Sequence, residues 1–196
     1  MVKKKWLHRL MKTHFDIEKI VEKGIITNEL DYDRALIADR KLRLLAKESL
    51  HFKNLRTKLR DIIERYEISE WSDITKIDDS KLSESAKSEH IAELERLFIE
   101  TRKQAIRKKL KELDLTQENL ALILGHKSKT HMSELMNGIK PFTLKNLIII
   151  NRLLKINIAV LIPVFLSKED QVKVKEAVIK LDKPKVRLTS DDFVLC

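Results

Sequence analysis

From Asp31 onward the apolar residues recur at helical spacing. Tyr32, Ala35, Leu36, Leu42, Leu45 and Ala46 fall on one face of Asp31–Lys47, and Leu55, Leu59, Ile62, Ile63 and Tyr66 on one face of Leu50–Glu67. Neither segment contains Gly or Pro, and the helix formers Lys, Arg, Glu and Leu dominate both. The spacing predicts two antiparallel helices joined by a short turn near Ser49. The polar stretch Ser72–Ser88 then reads as a linker. Helical spacing resumes at Glu89 and runs through Ile91, Leu94, Leu97, Phe98, Ile106 and Leu110 to Leu113. This is either one long helix or a linker helix leading into the first helix of a second domain.

Beyond Leu113 the pieces shorten. Asp114–Leu124 and Lys127–Asn137 are two short helical segments separated by Gly125, and Asn137-Gly138 is a stop signal of the left-handed kind. Thr143 is placed to cap a helix containing Leu144, Leu147, Ile148, Ile150, Leu153 and Leu154. Ile158–Leu166 closes the core, with Pro163 ending or kinking that helix. Ser167-Lys168-Glu169-Asp170 reads as the start of a further helix with Val172, Val178 and Ile179. The expected architecture is all-α. A helical N-terminal region fills 1–71, a linker and linker helix 72–100, a five-helix domain 101–165, and a C-terminal extension 166–196.

Composition narrows the class. Three Gly and three Pro in 196 residues exclude turn-rich β architectures. The net charge of +10 is uneven, with −3 over residues 28–100 and +8 over 101–155, so a polyanion is the expected partner of the second block. The single cysteine, Cys196, leaves no internal disulfide and no cysteine zinc site, which fits a reducing cytoplasm. The longest apolar run, Ile158–Leu166, is broken by Pro163 and falls short of the ~20 residues a membrane span needs, so no membrane partner is expected. The six histidines show no metal-ligand spacing, and Trp6 and Trp71 read as packing residues. With no glycine-rich phosphate loop and no G-x-S-x-G, neither a cofactor nor enzymatic activity is expected.

The informative stretch is Leu115–Gly138. Thr116 can cap a helix whose Leu120, Ala121 and Leu124 point inward. Gly125 supplies a tight turn, and Ser128 can cap a second helix that buries Met132, Leu135 and Met136. This is a helix-turn-helix pattern. At about 100° per residue, Thr130 and Glu134 lie almost opposite the buried set, His131 and Ser133 flank them, and Lys129 lies nearer the core edge. The hydroxyls, the imidazole and the carboxylate suit base edges, while Lys127, Lys129, Lys140 and Lys145 suit phosphates. Gln117, at a helix N-terminus, also suits a phosphate. Arg102, Lys103, Arg107, Lys108, Lys109 and Lys111 can hold the DNA backbone where they face it.

The segment resembles the lambda-repressor-like (XRE) helix-turn-helix class through Thr116-Gln117, Leu120-Ala121, Gly125, Ser128–Leu135 and Asn137-Gly138. Met132 stands seven positions after Gly125 where the class usually has six, which implies a turn one residue longer. A second resemblance joins Asn28–Leu36, Tyr66-Glu67, Trp71 and Asn137–Leu144 to HigA-type antitoxins. It implies a homodimeric, operator-binding autorepressor whose N-terminal helices neutralise a RelE-like toxin. Two other readings stay open: a stand-alone regulator whose N-terminal helices dimerise or sense a ligand, and an adaptor whose helix-turn-helix no longer binds DNA.

Overall fold

The computed structural model describes residues 16–163, 168–183, 185, 186 and 188. The Lys3–Lys5 run, Trp6, Ser167 and Cys196 lie outside them. The described residues form helices and no strand. The helices are α1 (Ile17–Lys23), α2 (Glu29–Leu45), α3 (Leu50–Trp71), α4 (Asp79–Glu112), α5 (Gln117–Ile123), α6 (Lys129–Asn137), α7 (Leu144–Leu154), α8 (Ile158–Leu161) and α9 (Lys168–Leu181). A 3-10 turn at Ile74–Lys76 joins α3 to α4. The chain divides at Leu161 into two units, the second holding α9. That helix exposes Val172, Ile179 and Leu181.

The α2–α3 hairpin is as expected. Asn28 and Ser49 cap the two helices through their side chains, and Ala35, Ala38, Leu42, Leu55, Leu59, Ile62 and Ile63 are buried between them. α1 is not anticipated by the sequence pattern. Asp16 caps it, Gly24 closes it at φ 69°, and Ile17 and Ile20 enter the hairpin core.

α4 differs most from expectation. Residues 79–88 are helical rather than linker: Asp78 caps the helix by accepting from the Lys81 N–H, and 34 residues run unbroken to Glu112. Its first half packs on α2, with Arg34 gripping Glu95, and its second half is the first helix of the next bundle. In that bundle Ile106, Leu110, Leu120, Leu124, Met132, Leu135, Leu147, Ile150, Leu154 and Leu161 are buried. α7 buries one side only, leaving Leu144, Ile148 and Leu153 exposed. The two bundles meet at the loop after α6. Ile139 belongs to the hairpin core, its carbonyl accepts from the Ile17 N–H at 3.1 Å, and Gly138 sits against Ile99 of α4.

Candidate nucleic-acid interface

α5 and α6 take their shape from local chemistry. Thr116 and Asn119 cap α5 reciprocally, side chain to backbone in both directions. Gly125 turns the chain at φ 81°, a left-handed value suited to glycine. Ser128 caps α6 by accepting from the His131 N–H, and Gly138 closes it at φ 70°. His126 follows Gly125 in the turn. Its N–H bonds the Ala121 carbonyl at 2.8 Å, and its ring meets His131 edge-on at 4.7 Å. Burial and the nearby His131 hold the His126 imidazole below its ordinary pKa, opposed by Asn146, whose side chain favours the protonated ring.

The first turn of α6 is open. Lys127, Ser128 and Lys129 are exposed and Thr130 is half-buried. Lys129, expected near the core edge, instead keeps 79% of its side chain exposed, and its ammonium lies 2.7 Å from Glu118 of α5. A solvated pair of this kind contributes little and is readily exchanged for a phosphate. Lys145 is exposed at the start of α7, and Gln117 is half-buried at the start of α5.

The second turn is covered. Glu134, expected to face outward, is only 2% exposed. It does point away from Met132, Leu135 and Met136, but α1 and α3 lie on that side. His51 Nε2 of α3 is 2.7 Å from Glu134 Oε1, and Lys140 donates to Glu134 Oε2 at 3.0 Å. His131 Nδ1 lies 3.2 Å from the same oxygen. Glu18 of α1 joins through Lys140 at 2.6 Å and His51 at 3.4 Å. Burial pushes the Glu134 carboxyl up, but hydrogen bonds from Lys140 and His131 outweigh this and hold it below the usual range. Lys140 is correspondingly raised: burial lowers it, and Glu18 and Glu134 more than compensate. Glu18, His51 and Glu134 bring potential metal-ligand atoms within 4.8 Å of one another, yet the Lys140 ammonium already bridges the two carboxylates.

The end of α6 is tied down as well. The Asn137 carbonyl accepts from Lys41 of α2 at 3.1 Å, and its Oδ1 accepts from Lys103 of α4 at 2.9 Å, two cations at a helix C-terminus. Burial lowers Lys41 to about 8, with Glu100 opposing and Lys103 adding to the shift. Ser133 is half-buried and lines a cleft of about 750 Å³ with Arg40, Arg43, Arg107, Gln117 and Asn137.

Of the basic run in α4, Arg102 faces inward. It is 1% exposed, held between Phe98 and Phe142 with Nη1 near the Leu161 carbonyl, so it is a core residue and not a backbone contact. Arg107, Lys108 and Lys111 are exposed, and Lys109 pairs with Glu112.

This arrangement of capped helices, glycine turn and left-handed stop spans the region in which the chain matches a known family, described as Helix-turn-helix, over residues 106–161. Residues 106–161 are an XRE-type helix-turn-helix domain. The macromolecule that goes with such a domain is double-stranded DNA. No curated protein and no solved structure matches the chain. Glu18 and His51 were missed by sequence reasoning. Neither has a spacing signal, because both reach the helix-turn-helix only through the tertiary fold.

Proposed function

We propose that the protein is a sequence-specific DNA-binding repressor that is not an enzyme and works beside DNA in the cytoplasm. The observation that carries this reading is the bare first turn of α6. There Lys127, Ser128 and Lys129 are exposed and Thr130 is half-buried, within the +8 block of residues 101–155. Thr130 and Ser133 would read base edges, and Lys127, Lys129 and Lys145 would hold phosphates. As a homodimer the protein would present two α6 helices to half-sites ~34–36 Å apart. Mobility shift on the DNA upstream of the protein's own reading frame, at two salt concentrations, tests this. A retarded band whose affinity falls with salt and depends on sequence supports it, and retention of no duplex rejects it.

The finer reading is an autoregulating antitoxin that neutralises a RelE-like ribonuclease toxin. Its support is the likeness of Asn28–Leu36, Tyr66-Glu67 and Asn137–Leu144 to HigA-type antitoxins. A neighbouring reading frame for a small basic protein that co-purifies with this chain supports that pairing; failure to co-purify favours a stand-alone regulator.

A further inference from the structure

We infer that α1 and the tip of the α2–α3 hairpin form a built-in cover, which competes with duplex DNA for the outward face of α6. The inference rests on the DNA-binding reading above and adds to it that the bound and free proteins differ in where this hairpin sits.

The covered residue identifies the contact. Within the helix-turn-helix domain Glu134 points away from the domain's own core, where the domain supplies His131 and Lys140 as its partners. The remaining partner, His51, lies outside residues 106–161, as does Glu18, which reaches the group through Lys140 and His51. A recognition helix lies in a major groove ~12 Å wide and ~8.5 Å deep with its N-terminal residues at the base edges and the rest of its outward face close to the duplex. Here the second turn faces His51, and the last residue is bonded to Lys41.

The chemistry of the contact is exchangeable. Glu18 holds Lys140 with a carboxylate, as a DNA phosphate would, and Glu118 does the same to Lys129. On the α2 side the Lys41–Asn137 bond links cover and α6, and beside it a cleft of about 750 Å³ opens with Arg43, Arg107 and Ser133 in its walls. The apolar attachments lie away from the exposed face of α6: Ile139 is in the hairpin core, Gly138 is against Ile99, and α2 packs on the first half of α4. Polar bonds over α6 and apolar anchors away from it describe a cover that parts from α6 while staying seated on α4. Apparent DNA affinity is then the intrinsic affinity scaled by the fraction of open molecules.

The test uses the full chain and compares wild type with His51→Gln and with Glu18→Gln/His51→Gln. Glu22→Ala, an exposed acidic residue of α1 with no part in the contact, serves as control for the loss of one negative charge. The probe is a duplex selected from a random library by the wild-type protein or by the double variant, and thermal melts establish that each variant is folded. Because each lost bond involves a charged partner, the double variant is expected to bind roughly 10-fold tighter than wild type, and Glu22→Ala much less so. Amide hydrogen exchange across residues 45–53 is expected to speed up when DNA binds. Equal affinity of wild type and a folded double variant overturns the cover while leaving DNA binding intact. So does slower exchange in 45–53 on the duplex. Failure of every protein to retain any duplex overturns the DNA-binding reading and the cover with it.

Discussion

His51 Nε2 meets the Glu134 carboxylate at 2.7 Å, joining residues 83 positions apart across the seam between the α2–α3 hairpin and the helix-turn-helix. Lys140 and His131 complete the surroundings of that carboxylate, so its burial is offset by three partners. Removing the carboxylate leaves Lys140 to Glu18 alone and empties a tightly enclosed site. Glu134→Ala is expected to cost about 1–3 kcal/mol in urea unfolding, the usual penalty for breaking a buried charged hydrogen bond. In a double-mutant cycle with His51→Ala the two losses should fall short of additive.

The same network sets a pH dependence. Glu134 lies below its ordinary value in the folded state, so its contribution is present above pH 4.5 and is lost as pH falls through the folded value. Lys140 is raised, so its contribution is present below pH 10.5 and disappears as pH climbs through the folded value. Unfolding measured from pH 3 to pH 11 should show both losses in wild type, and Glu134→Gln should flatten the acidic one.

Asp33 works in the opposite sense. Burial, with Glu29 and Glu89 nearby, raises its carboxyl to about 6, and Oδ2 is buried without a hydrogen-bond partner. Between pH 3.8 and about 6 the folded state binds the extra proton, so stability falls as pH rises through this window. Asp33→Asn is expected to stabilise the protein at pH 7 by about 1 kcal/mol, a figure discounted for partial solvation. The gain should vanish near pH 4, as thermal melts in acetate and phosphate buffers would show.

Two glycines with similar backbone angles separate strain from crowding. Gly24 and Gly138 both have positive φ, 69° and 70°, but a Cβ at Gly24 meets open space while one at Gly138 falls 2.7 Å from Ile99 Cδ1. Gly24→Ala is expected to cost about 1 kcal/mol and Gly138→Ala about 2–3 kcal/mol. Ile99→Val should recover part of the second loss and none of the first, read as melting temperatures.

For DNA, Lys127→Ala and Lys129→Ala are expected to weaken binding on all sequences and to lower the salt slope by about 1 each. Thr130→Ala should instead relax base preference at one position by ~1–3 kcal/mol. Arg102→Lys should destabilise the fold without changing the salt slope, because its guanidinium lies between Phe98 and Phe142 rather than on the surface. Mobility shifts at two salt concentrations and urea unfolding distinguish the three outcomes.

Local signals carried most of the architecture. Thr116, Ser128 and Thr143 all cap the helices the sequence assigned to them, Ser49 lies at the turn expected near it, and Gly125 and Gly138 turn the chain where glycine was needed. Each depends on residues within a few positions. Residues 79–88 misled because Ser80, Ser83, Ser85 and Ser88 resemble a linker, yet extending an existing helix by a turn is far cheaper than starting one. Glu134 misled for a different reason. The helical wheel oriented it correctly within α6, but a wheel describes one helix and cannot see that α1 and α3 lie above it. Arg102 faces a core that only the folded α8 completes.

Because α4 serves both bundles without a break, the hairpin never leaves the vicinity of α6. Its local concentration there is on the order of millimolar or higher, whatever the number of molecules in the cell. Making more protein therefore does not dilute the occlusion, as it would with a separate inhibitor. Each molecule carries the same threshold, and only a duplex that binds strongly enough to displace the hairpin crosses it.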